Sequence, residues 1–275
     1  MFFFCGELYY FSYKHIKSLF ILIYIGLFMS SPLVSIIMAG GLGKRMSPNK
    51  AKVLHEIKGY PMIYYVLQNA LFVGCERIFI VVGKYRNMIE NAVRPLFSGE
   101  IFKKFVFVIQ PESLMDGELC SLGTGDAVRS CLSAFEEYRY TPNTNVLILS
   151  GDVPVVDRDE LLAFSQQPNS MMVANVDDPT GYGRVFLNED DQLSRIIEHA
   201  FCDETEILCT FVNAGMYNLT LRTLKETIPN IELHPLKKEF LLTDFYLFTE
   251  TSIHIFMSQG VPQNINTKED LYSIS

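Results

Sequence analysis

The sequence predicts an α/β fold: a doubly wound, mostly parallel sheet, joined towards the carboxyl end by a smaller strand-rich lobe. Three observations carry this. Largely apolar runs of strand length, at 34–38, 77–82 and 145–150, alternate with segments whose apolar residues recur at helical spacing. Continuous apolar strands belong to sheets covered on both faces. The first run ends in Ala39-Gly40-Gly41-Leu42-Gly43, with Lys44 and Arg45 directly behind it. From Ser170 onward strand-like runs crowd together with little helix between them.

In chain order, Val34 to Met38 reads as a buried strand. Pro61 to Phe72 is a helix, with Ile63, Val66, Leu67, Ala70 and Leu71 on one face behind a proline suited to a first turn. Arg77 to Val82 is a second strand and Tyr85 to Leu96 a helix. Phe105 to Ile109 is a third strand, Thr124 to Phe135 a helix, and Asn145 to Ser150 a fourth strand. The strand-rich part comprises Met171 to Val176, Gly183 to Leu187, Leu193 to Glu198 and Thr210 to Leu219. A helix is expected from about Leu242 and a last strand near Ile253 to Met257. In doubly wound sheets ligands lie beyond the carboxyl ends of the strands. The glycine turn, the Gln110 region and Gly151-Asp152 each follow a strand, so all three are expected at one cleft.

A chain of 275 residues, 49% hydrophobic and 20% charged, has ample material for one large domain. The net charge of −8 argues against a general nucleic-acid binder. Any phosphate site is then a local group of cations on an acidic body. The six cysteines lack the paired short spacing of a zinc site and read as free thiols in a reducing, cytoplasmic setting. Residues 1–33 form an aromatic-rich, apolar extension expected to lie outside the fold, with 34–275 as the functional domain. Its apolar run, Leu19 to Met29, is short for a membrane span and resembles a signal-peptide core. A start at Met29, or a dispensable extension, accounts for it better than a working signal.

The glycine turn is neither of its two commoner relatives. A P-loop needs glycine where Met38 stands and Ser or Thr where Arg45 stands; the dinucleotide fingerprint needs a further glycine where Lys44 and Met46 stand. A strand that ends in glycines and cations nevertheless suits polyphosphate, since backbone N–H groups converge there and the glycines permit positive φ and close approach. Asp152, just past a strand, is placed to hold Mg²⁺ against a nucleotide, or simply to cap a turn. Asn266 is a turn residue or helix cap as readily as a ligand. Leu122-Gly123-Thr124-Gly125-Asp126 is a second glycine turn opening a helix, able to read a base edge with Gln110. Asp178 to Arg184, with Glu198 and Asn213, offers the hydrogen bonds a sugar needs.

Taken together, MAGGLGKRM, LGTGDA, SGDVPVV, DDPTGYGR, IIEH, VNAG, LLTD and INTKEDL, in this order, resemble the uridylyltransferase domain of bacterial bifunctional N-acetylglucosamine-1-phosphate uridylyltransferase/glucosamine-1-phosphate acetyltransferases. The resemblance covers about residues 33–275. It implies a Rossmann-like fold of the nucleotide-diphospho-sugar transferase type, and Mg²⁺-dependent uridylyl transfer from UTP to N-acetylglucosamine 1-phosphate. The chain stops where the family's left-handed β-helix would begin, so acetyl transfer is not expected. By resemblance, Met38, Ala39, Gly40, Gly41 and Gly43 wrap the nucleotide, with Gly151 beside them. Arg45 meets the outer phosphates and Lys52 the reacting ones. Gln110, Gly123 and Thr124 recognise uracil, and Asp152 and Asn266 hold Mg²⁺. Gly183, Glu198, Asn213 and Thr243 bind the sugar. Four positions depart from the family pattern: Ala51 for proline, Asp126 for histidine, Ser150 for an aromatic residue, and Ala214 for a threonine near the sugar. An insertion, Ser113 to Cys120, separates Gln110 from the second glycine turn. A related enzyme with another sugar or base, or a nucleotide-sugar sensor on the same fold, fits the same residues.

Overall fold

The computed structural model describes residues 31–41, 50–115, 118–260, 265 and 270. The strands of its main sheet are β1 (Leu33–Met38), β2 (Arg77–Val82), β3 (Phe105–Ile109), β4 (Asn145–Ser150), β5 (Ser170–Asn175), β6 (Arg184–Leu187), β7 (Leu193–Ile197), β8 (Phe211–Thr220) and β9 (His254–Ser258). Along the sheet they run β7-β6-β8-β4-β1-β2-β3, with β5 paired to β8 and β9 to β5. The pairs β1–β2, β1–β4, β2–β3 and β5–β9 are parallel; β8 runs antiparallel to β4 and β5. The strand-rich part is thus an extension of the same sheet, joined to the Rossmann-like half through β8.

Register explains where the site lies. Met38 pairs with Val81 on one side and Ser150 on the other. The carboxyl ends of β1, β2 and β4 are therefore level, and successive residues emerge beside one another. Ala39 N–H donates to Val81 O at 2.9 Å, Gln110 N–H to Val82 O at 2.8 Å and Gly151 N–H to Met38 O at 3.0 Å. The chain proceeds from β1 to β2 and β3 in one direction, then crosses to β4 on the opposite side of β1. The crevice between β1 and β4 is the switch point where such sheets take ligands.

Strand alternation sorts the core into two layers. Ile37, Ile78 and Ile80 pack against helix α1 (Met62–Phe72) on one face, through Ile63, Val66 and Leu67. Val34, Ile36 and Phe79 pack on the other against Val128, Phe135, Leu224 and Phe245. Burying each such aliphatic side chain contributes about 1.5–3 kcal/mol.

Several expected helices differ in detail. Tyr85 to Leu96 is an α-helix over Arg86–Val93 followed by a 3₁₀ turn over Arg94–Leu96, because Pro95 cannot donate in an α-helical ladder. Thr124 to Phe135 divides into Thr124–Arg129 and Leu132–Glu137, with the break marked by the tighter Cys131 N–H to Val128 O bond. The helix expected at Leu242 is a 3₁₀ helix, Leu242–Phe248. Two further helices, Arg158–Ser165 and Leu221–Thr227, begin behind side-chain caps: Asp157 accepts from Asp159 N–H and Glu160 N–H, and Thr220 accepts from Thr223 N–H. The insertion after Gln110 is a hairpin, Glu112–Met115 paired with Glu118–Ser121. The apolar run Leu19 to Met29 lies outside the described residues.

Candidate active site

Two adjoining cavities open at the carboxyl ends of β1 and β4. The larger, about 480 Å³, is bounded by the β1 turn (Met38 to Gly41), Lys52, Gln110, Ser121, Gly123, Thr124, Asp152 and Glu239. The smaller, about 220 Å³, takes Gly183, Glu198, Asn213 and Thr243, with Tyr182 and Tyr217. Met38, Thr124, Ser150 and Asp152 face both. The sequence-predicted residues from Met38 to Thr243 thus gather at one place, except Gly151, which borders neither cavity. Gly43, Arg45 and Asn266 lie outside the described residues.

Lys52, opening a 3₁₀ turn over Lys52–Leu54, forms an ion pair with Asp152. Ser150 Oγ donates to Asp152 Oδ1 at 2.6 Å, and the Asp152 carbonyl accepts from Ile265 N–H at 2.9 Å. That last bond sets Ile265, the residue before Asn266, beside Asp152. Gly151 lies so near the β1 turn that a Cβ would stand 2.8 Å from Met38 O and 2.9 Å from Val53 Cγ1.

The glycines of the β1 turn act differently from expectation. Neither Gly40 nor Gly41 takes a left-handed φ. Gly40 is needed for close approach: a Cβ there would lie 3.2 Å from Gln110 Oε1 and 3.5 Å from Gly83 N. Positive φ occurs at Gly123, +92°, where the second glycine turn meets the 239–243 segment. Gly125 N–H donates to Phe240 O at 2.8 Å, Phe240 N–H to Leu122 O at 2.7 Å and Leu242 N–H to Thr124 Oγ1 at 3.0 Å.

In the smaller cavity, Glu198 accepts from Lys237 Nζ at 3.0 Å and Thr243 Oγ1 at 3.2 Å. Asn213 donates through Nδ2 to Tyr217 OH at 2.7 Å and accepts from Gly215 N–H at 2.9 Å. Ala214 does not face this cavity; it is buried in the core cluster that also holds Met216, so position 214 is not part of the cavity wall. The loop 178–183 is pinned by Arg184, only 1% exposed, whose guanidinium donates to Pro179 O at 2.6 Å and to Tyr182 O. His199 Nδ1, 3.2 Å from the guanidinium, must accept, because arginine has only donors.

Acidic groups crowd the segment between the cavities. Burial pushes the Glu239 carboxyl up, Lys237 draws it back in part, and Glu198 adds to the rise. Asp244 is raised by burial too, with His234 opposing. Sequence reasoning missed Glu239, Ser121 and Tyr217 as cavity residues, while Tyr182 belongs to the 178–184 turn expected there. The three missed residues sit in no motif and left no signal in the sequence.

Residues 34–244 match the family described as nucleotidyl transferase. The chain belongs to this family. As a member of it, the protein is a nucleotidyltransferase, and its Rossmann-like sheet is the one the motifs led us to expect. A protein of Acanthamoeba polyphaga mimivirus named "Probable UDP-N-acetylglucosamine pyrophosphorylase" is 31% identical over 257 residues, covering 88% of this chain and 95% of its own. "Bifunctional protein GlmU" of Sorangium cellulosum is 32% identical over 221 residues, covering 78% of this chain and 44% of its own, so the chain spans less than half that relative's length. A solved UDP-glucose pyrophosphorylase, complexed with UDP-glucose, shares the fold with a TM-score of 0.67 at 18% identity, over 89% of this chain and 97% of that one.

Among the described residues no helix is long and apolar enough to cross a membrane, and no group of three or more His, Cys, Asp or Glu side chains is arranged to hold a metal.

Proposed function

We propose that this nucleotidyltransferase carries UMP from UTP to N-acetylglucosamine 1-phosphate, giving UDP-N-acetylglucosamine and pyrophosphate in the cytoplasm. One observation carries the reading: two cavities of different character meet at Asp152, Ser150, Met38 and Thr124. The larger has the backbone donors and the Lys52 cation a triphosphate requires; the smaller has the carboxylate, amide and hydroxyl groups that read sugar hydroxyls. The mimivirus relative, covered almost end to end, supports the choice of sugar and base through its name. The acidic chain has no nucleic-acid partner in this scheme.

Sugar phosphate held by Gly183, Glu198, Asn213 and Thr243 presents an oxygen to the α-phosphorus of UTP. The new O–P bond forms in line as the bond to the bridging oxygen breaks, and pyrophosphate leaves with that electron pair. A phosphate oxygen is nucleophilic enough without a protein nucleophile, so placement and charge neutralisation supply the rate. Lys52 would release Asp152 and turn to the α-phosphate oxygens, Arg45 would meet the outer phosphates, and Met38 to Gly41 with Gly43 would line the phosphate path, the β1 turn being held close to β4 by the missing side chain of Gly151. Gln110, Gly123 and Thr124 would face uracil.

The donor set fits Mg²⁺, which prefers hard oxygen ligands and few protein bonds when phosphates are present. Asp152 offers a carboxylate at the end of β4, and the Ile265 N–H bond to its carbonyl keeps the residue next to Asn266 against it. These two residues would hold the ion, which when bound neutralises and orients the phosphates.

The test is pyrophosphate release measured over a panel of nucleoside triphosphates and sugar 1-phosphates, with MgCl₂ or with EDTA. UTP with N-acetylglucosamine 1-phosphate should give the highest kcat/KM, and EDTA should abolish turnover. A tenfold preference for glucose 1-phosphate or dTTP would replace this reading with that of a related transferase.

A further inference from the structure

The Gln110 side chain is held from three directions. Its Nε2 donates to Gly123 O at 2.9 Å and to Asp126 Oδ2 at 3.1 Å; its Oε1 accepts from Ser121 Oγ at 3.2 Å. A carbonyl and a carboxylate only accept, so the amide nitrogen must face them and the oxygen must face the other way. That oxygen lies among Ser121 and Gly40, both on the wall of the larger cavity. An amide oxygen has two lone pairs, and Ser121 uses one.

Asp126 is itself fixed. It is buried, with 7% exposure, in the first turn of the helix that the second glycine turn opens. Arg129 Nη1 stands 4.0 Å from its Oδ1. The Arg129 guanidinium in turn lies 4.1 Å over the Phe240 ring and donates to Ile228 O and Ile231 O. Burial and this neighbouring cation keep the carboxylate beside Gln110.

We propose that Asp126 is a positioning residue for base selection: it locks the Gln110 amide with its oxygen towards the cavity, so that the site accepts a pyrimidine carrying a ring N–H and rejects one whose ring nitrogen is an acceptor. The inference rests on the larger cavity being the nucleotide site. Uracil presents N3–H to such an oxygen; cytosine presents a lone pair. Without Asp126, Gly123 O alone decides which end of the amide faces the cavity, since the Ser121 hydroxyl can donate to the oxygen or accept from the NH₂. The rotated amide, with NH₂ to the cavity, then becomes accessible and suits cytosine.

The experiment is steady-state pyrophosphate release from UTP and from CTP at saturating N-acetylglucosamine 1-phosphate, using the full chain as wild type, Asp126→Ala, Asp126→Asn and Gln110→Ala. Losing a hydrogen bond to a charged partner predicts that Asp126→Ala raises the KM for UTP about tenfold, with kcat within about threefold. It also predicts that the UTP-to-CTP ratio of kcat/KM narrows about tenfold, with absolute CTP use rising. A merely structural role for Asp126 would depress both substrates together. Asp126→Asn, whose Oδ1 can still accept from Gln110, should stay within about threefold of wild type. Should Asp126→Ala not fold, Asp126→Ser, too short to reach Gln110, carries the same expectation. An unchanged ratio in the Asp126 variants beside a collapsed ratio in Gln110→Ala overturns the role of Asp126 and leaves the nucleotide site standing. An unchanged ratio in Gln110→Ala as well removes the nucleotide reading of this cavity, and the inference with it.

Discussion

Replacing Gly123 by alanine tests how the second glycine turn is held. Gly123 has φ +92° and ψ −177°, a region that side chains other than glycine's avoid at about 1–3 kcal/mol. The added Cβ would also lie 2.7 Å from Phe240 O and 2.8 Å from Glu239 Cβ. Neither neighbour can retreat freely, since Phe240 donates to Leu122 O at 2.7 Å and accepts from Gly125 N–H at 2.8 Å. Relieving such a clash costs a further 1–3 kcal/mol, roughly. Together about 4 kcal/mol is expected, equal to a fall in Tm of roughly 10 °C for a domain of this size. The assay is urea unfolding followed by circular dichroism, run beside Gly59→Ala. Gly59 has φ +82° but nothing within 4 Å of its Cβ position, so it reports backbone strain alone, about 1 kcal/mol. If Gly123→Ala loses no more stability than Gly59→Ala, the packing of the 239–243 segment against this turn is wrong.

Three further expectations follow from the site. Lys52→Ala should lower kcat by about a hundredfold, as loss of a charge-stabilising donor does, while stability moves by less than about 1 kcal/mol because the Asp152 pair is partly exposed; stopped-flow turnover and thermal unfolding measure the two. Glu239 keeps its proton to higher pH in the folded chain than its ordinary value of 4.5, so the native state loses stability as pH rises from there through the folded value. Glu239→Gln should therefore raise Tm relative to wild type at pH 7.5, with the gain gone at pH 4. Arg184→Met strands the carbonyls of Pro179 and Tyr182 and should cost about 3 kcal/mol in urea unfolding, with a raised KM for sugar phosphate; Arg184→Lys should not rescue it, since one ammonium cannot span the same acceptors.

The strands were legible because short continuous apolar runs rich in β-branched residues, such as the IFIVV that ends Arg77–Val82, suit a sheet buried on both faces. Asp152 and the β1 turn were legible because strand ends in parallel sheets face one edge. The contacts that complete the site were not. Glu239 and Thr243 reach it because the 239–243 backbone pairs with Leu122 and Gly125, and backbone pairing is indifferent to residue type. Asp126 meets Gln110 only because the 112–121 hairpin folds the chain back between them, a closure set by tertiary packing. The helix at Arg158–Ser165 was within reach of a closer reading, since Asp157 followed by Asp159 and Glu160 is an amino-terminal cap signal.

The antiparallel seam between β4 and β8 joins Asn145–Ile148 to Tyr217–Thr220 through four paired residues. Because Tyr217 in that ladder and Ser150, just past it on β4, line the smaller cavity, this part of its wall behaves as one stiff plank, and no hinge can open along it without breaking those pairs. Travel during a catalytic cycle falls to what stands above the plank: the stretch that Arg184 clamps and the strip carrying Lys237, Glu239 and Thr243. Reshaping the smaller cavity therefore begins with those two overhanging segments, because Asn213 and Tyr217, its wall residues on β8, are tied into the sheet.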